Sequence, residues 1–301
     1  MNKPINKVSI IGLGALGILY GEHFLRRMPR EDLRIIADSA RIDKYQKDGI
    51  FCNDQFCPFL YVTPDAPVDP ADLLIIAVKY NALNEATQMI KRHVGPDTII
   101  LSVLNGVVSE AEIGEVYGHE HLLYTVAQGM TASKVGNRMT YRTKGILSFG
   151  ELDAEVNSEK VDRVKAFFDT VELPYEINNR MKHKLWSKWM LNTGINQTVA
   201  YFNATNSLVQ KPGEARNMMI DTMKEAIAVA HKEGVNLTQF DIDYWLKIID
   251  TLDPKERPSM AQDVNAGRPT EVALFAGTVV KLAKKHSISV PLNELFLNYF
   301  S

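Results

Sequence analysis

The stretch that most constrains this chain is Lys7-Val8-Ser9-Ile10-Ile11-Gly12-Leu13-Gly14-Ala15-Leu16-Gly17. Val8, Ile10 and Ile11 form a short apolar, β-branched run of the kind that fills a buried parallel strand. Gly12, Gly14 and Gly17 then match G-x-G-x-x-G. A helical pattern follows at once, with Ile18, Leu19, Phe24 and Leu25 at helix spacing and Glu22 one turn before Arg26. Each glycine has its own physical reason. Gly12 permits a tight turn, Gly14 lets a pyrophosphate approach the backbone, and Gly17 lets the helix pack close on the strand. Unpaired N–H groups at the helix start then face the phosphate. A Gly-rich turn in some other α/β protein would share the motif. The context argues for a dinucleotide. The motif lies near the N-terminus, and a second strand, Leu33 to Ala37, follows it. That strand ends at Asp38, about 20 residues past the glycines, where a ribose-binding acid is expected.

A length of 301 residues suggests two domains. Lys and Arg number 34 against 36 Asp and Glu, a net charge of −2 that carries no nucleic-acid footprint. No apolar run approaches the ~20 residues of a membrane span, and Met1 to Asn6 lacks the apolar core of a signal peptide. The two cysteines, Cys52 and Cys57, form no C-x-x-C and are too few for a zinc site, so no metal is expected. They read as reduced thiols of a cytoplasmic protein.

Along the chain, a short helix over Ile42 to Lys47 precedes one or two short strands within residues 50–63, around Asn53-Asp54. Buried strands follow at Asp72 to Val78 and Thr98 to Leu104, with a helix from Ala82 to His93 between them. A short helix is expected at Ser109 to Val116. Further strands are expected at Leu122 to Ala127, Met139 to Thr143, Ile146 to Phe149 and Tyr175 to Ile177, with a helix at Glu159 to Asp169. Alternating β and α elements predict a parallel, doubly wound, Rossmann-like sheet over residues 1–178. From Asn179 the strand signals stop. Helices are predicted at Arg180 to Tyr201, Gly213 to Lys232, Ile242 to Leu252, Thr270 to His286 and Leu292 to Tyr299. Residues 179–301 therefore read as an all-α domain.

The first of these helices carries Lys188, Asn192 and Asn196 at four-residue steps. Each step turns only about 40°, so the three share one stripe. Asparagine is a poor interior helix former, and the flanks Leu185, Trp186, Trp189, Met190, Leu191 and Ile195 are apolar or aromatic. A partly buried polar stripe fits this better than a solvated face. Asn203 and Asn206 extend the polar cluster. Further on, Thr270 could cap the last long helix, with Glu271 in its first turn favoured by the dipole. His93, His183 and His231 read as structural or surface residues.

The chain resembles the ketopantoate reductases (2-dehydropantoate 2-reductases) over essentially its whole length. The resemblance rests on Gly12-Leu13-Gly14-Ala15-Leu16-Gly17, Val78-Lys79 and Leu104-Asn105-Gly106. It continues through Lys188-Trp189-Met190-Leu191-Asn192-Thr193-Gly194-Ile195-Asn196, Asn206, Ser259-Met260-Ala261-Gln262-Asp263 and Thr270-Glu271. It implies an NAD(P)H-dependent reduction of ketopantoate to pantoate, in pantothenate biosynthesis, in a cleft between the domains. Lys188 would be the catalytic acid, and Glu271 would hold the substrate hydroxyl beside it. Asn192, Asn196, Asn206 and Ser259 would grip the 2-oxo acid, while Lys79 and Asn105 would border the cofactor. A homodimer is compatible with the resemblance. The chemistry agrees: hydride delivery builds charge on a ketone oxygen, and a positioned ammonium stabilises that charge and donates the proton. The family often has an arginine at the end of strand two, holding an NADP 2′-phosphate. Here Asp38 stands there, with Arg41 three residues on, so local chemistry points to NAD and the resemblance to NADP.

Three other readings share parts of this pattern. Another D-2-hydroxy acid dehydrogenase could use the same scaffold. A hydroxyisobutyrate-type dehydrogenase precedes its lysine with G-x-G-x-x-x, glycines that Lys182 to Ser187 lack. A non-catalytic dinucleotide sensor would have no use for Lys188 with Glu271.

Overall fold

The computed structural model describes residues 3–301. It divides into two compact units. One contains the residues up to Leu104 together with Val108–Met181; the other contains Asn105–Val107 and Lys182–Ser301.

The first unit is a mixed sheet with helices. Its elements are β1 (Val8–Ile11), α1 (Ala15–Leu25), β2 (Leu33–Ile36), α2 (Ser39–Asp48), β3 (Phe51–Cys52), β4 (Gln55–Phe56) and β5 (Leu60–Val62). Then come β6 (Leu73–Ile76), α3 (Leu83–Met89), β7 (Ile99–Ser102), α4 (Ser109–Tyr117), β8 (Leu122–Val135), β9 (Arg138–Gly150), α5 (Glu159–Thr170) and β10 (Tyr175–Ile177). The strand order is β4-β3-β9-β8-β7-β6-β1-β2-β5, with β10 also on β9. Strand β1 lies between β2 and β6, parallel to both, and every residue in it is buried. That is why its apolar run does not alternate. Its neighbours β2 and β6, and β7 beyond β6, are buried in the same way.

The expected parallel pairing holds for β5-β2-β1-β6-β7-β8 and for β3 and β10 on β9, but not between β8 and β9 or β3 and β4. The three separate strands expected between Leu122 and Phe149 are two long ones, β8 and β9, paired antiparallel. Gly136-Asn137 is the connection, and two residues cannot make a parallel crossover. Gly145, inside β9, takes φ +65°, which breaks the pattern without ending the strand. Strands β3 and β4 are also antiparallel, around Asn53 (φ 45°) and Asp54 (φ 62°), a turn that needs both residues left-handed. The helix expected from Ala82 to His93 is shorter: a 3₁₀ turn at Tyr80–Ala82 leads into α3, which ends at Met89.

The second unit is helical: α6 (Met181–Tyr201), α7 (Ser207–Gln210), α8 (Glu214–Lys232), α9 (Gln239–Ile249), α10 (Ser259–Asn265), α11 (Thr278–His286) and α12 (Pro291–Phe300). Capping explains one start. Thr238 and Asp241 form a reciprocal capping box at α9, which begins three residues before the expected Ile242. The helix expected over Thr270–His286 needs correction. The Thr270 hydroxyl accepts from the Val272 N–H at 3.4 Å, but the helical segment starts only at Ala273, with Val272 as its N-cap and no side-chain cap. A π turn at Ala273–Gly277 intervenes, and regular helix begins only at Thr278. No helix among the described residues is long and apolar enough to cross a membrane.

Candidate active site

In the first unit, the loop from β1 to α1 separates the jobs of its glycines. Gly12 has φ +96°, and a Cβ there would lie 2.7 Å from the Ala77 carbonyl oxygen. At Gly17 a Cβ would lie 1.9 Å from the Gly12 carbonyl oxygen. The fold itself therefore requires these two. Gly14 differs. Its φ is −70°, and a Cβ would meet nothing closer than the Ala77 oxygen at 3.5 Å. No packing accounts for a glycine there, which fits a position kept bare for a ligand. Gly14 is also the N-cap of α1, without a side-chain cap and without an acid in the first turn. Leu13 is buried, while Gly14, Ala15 and Leu16 retain exposed surface. The N–H groups opening α1 thus suit an anion, and this loop fits the pyrophosphate of a dinucleotide.

Asp38 caps α2, accepting from the Arg41 N–H at 2.8 Å. The Arg41 guanidinium pairs with the same carboxylate at 3.1 Å and reaches Glu85 at 3.4 Å. Lys79 is exposed after β6, at the N-cap of the 3₁₀ turn.

In the second unit, α6 is buried nearly all round, which is why its sequence reads polar and apolar by turns. Asn192 is 9% exposed and Asn196 4%, and Lys188 is half-buried. Long hydrogen bonds join this stripe to its neighbours. Asn196 Nδ2 donates to Asn192 Oδ1 (3.3 Å), Asn192 Nδ2 to Asn105 Oδ1 (3.5 Å), and Asn105 Nδ2 to Glu271 Oε2 (3.5 Å). The Ser259 hydroxyl and the Met260 N–H both donate to Asn196 Oδ1, at 3.1 and 3.2 Å. Catalytic hydrogen bonds are often this loose before substrate arrives. Burial pulls the Lys188 ammonium down to about 8, against the opposing field of Glu271 and with help from Lys184.

The structure thus joins Lys188, Asn192, Asn196, Ser259, Asn105 and Glu271. Asn105, expected to border the cofactor, belongs with this cluster. The next residue, Gly106, needs φ +108°, and a Cβ there would strike Leu274 at 2.7 Å. Asn206 is not part of the chain: its Nδ2 donates to the Asp253 carbonyl at 3.0 Å. Asn203 accepts from Arg257 at 3.0 Å. His183 pairs with Asp241 at 3.3 Å, and His93 and His231 bond to backbone carbonyls. Two residues of α6 escaped the sequence reading. Trp189 Nε1 donates to the Leu274 carbonyl at 3.0 Å, and Gln197 Oε1 accepts from the Ala276 N–H at 3.0 Å. No local signal marks Gln197, which sits beside the polar residues Asn196 and Thr198 between Ile195 and Val199.

A glycine loop shaped for a dinucleotide, on a mostly parallel sheet, and a helical unit holding a lysine–glutamate–amide cluster define an NAD(P)-dependent oxidoreductase. Two family models match the chain. "Ketopantoate reductase PanE/ApbA" matches residues 8–154 and "Ketopantoate reductase PanE/ApbA C terminal" residues 180–301. The chain belongs to this family. Among its relatives is a Pyrococcus horikoshii protein named 2-dehydropantoate 2-reductase, 27% identical and covering 96% of this chain and 94% of its own. An Aquifex aeolicus protein of the same name is 26% identical, over 96% and 94%. Among solved structures, a Ralstonia eutropha PanE/ApbA family ketopantoate reductase has TM-score 0.82 at 23% identity, covering 98% and 97%. A D-mandelate dehydrogenase in complex with NADH has TM-score 0.85 at 20% identity, over 98% and 97%. At those identities the structural likeness speaks for the fold.

Proposed function

We propose that this protein reduces 2-dehydropantoate to pantoate, with a reduced nicotinamide dinucleotide as hydride donor. The observation that carries the reading is Lys188, its proton affinity lowered by burial, in one cluster with Glu271, Asn192 and Asn196. The names of the curated relatives support the substrate. The first unit would hold the dinucleotide: the loop Gly12 to Gly17 takes the pyrophosphate, and Asp38 accepts from the adenine-ribose hydroxyls. A carboxylate there repels a 2′-phosphate, and Arg41 is already paired with it, so NAD is favoured over NADP. Lys79 would border the cofactor.

The bound dinucleotide supplies the hydride. The residues of the second unit do the rest. Lys188 donates to the ketone oxygen, stabilises its developing charge and gives up the proton. Asn192, Asn196 and Ser259 donate to the substrate carboxylate and hydroxyl. Glu271 accepts from the substrate hydroxyl and keeps the neighbouring ammonium charged. Because Lys188 acts as an acid, its working form is lost as pH rises through about 8.

The test is a panel of 2-oxo acids with NADH and with NADPH. Turnover of ketopantoate should far exceed that of pyruvate, phenylglyoxylate and 2-oxoisovalerate. Preference for phenylglyoxylate would shift the reading to a mandelate-type dehydrogenase. A flat panel with intact cofactor binding would favour a sensor. The ketopantoate reductase of Staphylococcus aureus is dimeric, and we expect a homodimer here by light scattering.

A further inference from the structure

The π turn at Ala273–Gly277 follows Glu271 by one residue. In an unbroken α-helix the Ala276 N–H would donate to the Val272 carbonyl. Here that carbonyl accepts from Gly277 at 2.9 Å and Phe275 at 3.2 Å. The Ala276 N–H donates instead to Gln197 Oε1 at 3.0 Å. Gln197 is fully buried and held in turn: its Nε2 donates to the Thr193 carbonyl (2.7 Å) and to Asn293 Oδ1 (3.3 Å). Two turns earlier on the same stripe, Trp189 Nε1 donates to the Leu274 carbonyl at 3.0 Å. Helix α6 therefore carries two adjacent stripes. Lys188, Asn192 and Asn196 lie on one. Trp189, Thr193 and Gln197, one residue on and about 100° round, lie on the other. The second stripe clamps the turn that leads out of Glu271. π turns concentrate where function needs a side chain re-aimed.

We infer that Gln197, through the π turn, is a positioning residue that holds Glu271 against Lys188. This rests on the roles proposed above for those two residues. Without the Gln197 acceptor, the Ala276 N–H has a partner only if the turn reverts to α register. Reversion removes one residue's rotation, about 100°, and turns Glu271 relative to α11. The charged groups acting on Lys188 are Glu271, which raises its proton affinity, and Lys184, which lowers it. On the packed elements, Asp241 of α9 is engaged by Ser187 and His183, and Asp263 of α10 pairs with Arg268 at 2.8 Å. Losing Glu271 from its place therefore lowers the Lys188 midpoint. The acid form then disappears at lower pH.

The experiment titrates Lys188 directly in full-length protein labelled with ¹³C-lysine, following its Cε resonance without substrate and assigning it by loss in Lys188→Arg. Gln197→Met keeps the volume and removes the acceptor. Its Lys188 midpoint should fall by about 1 pH unit, towards that of Glu271→Gln. The double variant should fall no further than Glu271→Gln alone. The high-pH limb of kcat/KM should move with the midpoint. A wild-type midpoint in folded Gln197→Met, whatever its Tm, would overturn the inference. Should Gln197→Met fail to fold, Trp189→Phe removes the other clamp while keeping a ring, and the same two outcomes apply. The underlying reading fails separately: wild-type turnover by Lys188→Ala would defeat it without touching the midpoint comparison.

Discussion

Replacing Gly14 by alanine separates a glycine kept for a ligand from one kept for the fold. The backbone at Gly14 (φ −70°, ψ −169°) is open to any residue, and the new methyl would meet the Ala77 oxygen at an ordinary 3.5 Å. Losing glycine from an N-cap costs about 0.5–1 kcal/mol, and a stiffer unfolded chain offsets about 0.4–1 kcal/mol of it. Thermal unfolding of the ligand-free protein should therefore move by no more than roughly 2–4 °C. Gly17→Ala supplies the contrast. Its methyl would lie 1.9 Å from the Gly12 oxygen, so α1 must retreat by about 1.4 Å to restore an ordinary carbon–oxygen separation. Such overpacking costs about 1–3 kcal/mol. Cofactor affinity should order the two variants differently. On the proposed placement of the pyrophosphate a methyl at Gly14 would stand in its path, and we expect NADH to bind about tenfold more weakly or worse, about 1.4 kcal/mol. Circular dichroism gives the unfolding temperatures, and quenching of tryptophan fluorescence on NADH titration gives the affinities. Wild-type NADH affinity in Gly14→Ala, or unfolding as low as that of Gly17→Ala, would refute the assignment of Gly14 to the ligand.

Lys188→Ala should reduce turnover about 10²–10⁴-fold with the fold intact, measured by steady-state kinetics and circular dichroism. In the wild type, kcat/KM should fall as pH rises through about 8, because burial sets the free-enzyme proton affinity of Lys188 there; a flat profile to pH 10 (roughly two units beyond) would exclude Lys188 as the acid. Glu271→Gln should lower kcat/KM about ten- to hundredfold more for ketopantoate than for 2-oxoisovalerate, which lacks the hydroxyl. Equal losses on both would remove its specificity role. Asp38→Asn retains the cap of α2 but loses the charge, and the kcat/KM ratio should swing from NADH towards NADPH. A wild-type preference for NADPH that disappears in Arg41→Ala would give the choice to Arg41 instead.

The strand–glycine-loop–helix geometry at Gly12 to Gly17 and the Lys188 stripe were legible because each rests on local geometry. A glycine pattern flanked by strand and helix, or a four-residue repeat on a helix, is written in adjacent positions. The mixed sheet was less legible. Gly145 and the turn at Gly136-Asn137 break the β8–β9 pattern into pieces that resemble separate strands. The π turn was out of reach. Its residues, Ala273 to Gly277, read as ordinary helix, and the bond that the Ala276 N–H donates goes to Gln197 Oε1, 79 positions away. Asn105 shows the same limit. The resemblance put it beside the cofactor, and only the fold brings it to Glu271 and Asn192.

The grouping of Asn105–Val107 with the helical unit bears on how such a protein can be rearranged by recombination. The helical unit is not one continuous length of gene. A cut after Met181 would yield a C-terminal fragment without Asn105 and without Gly106, whose bare backbone accommodates Leu274. An exchange of C-terminal halves between relatives would therefore carry over the lysine stripe and Glu271 but inherit the three-residue segment from the other parent. Functional chimaeras should require that tripeptide to travel with the C-terminal half, as a second, very short insert.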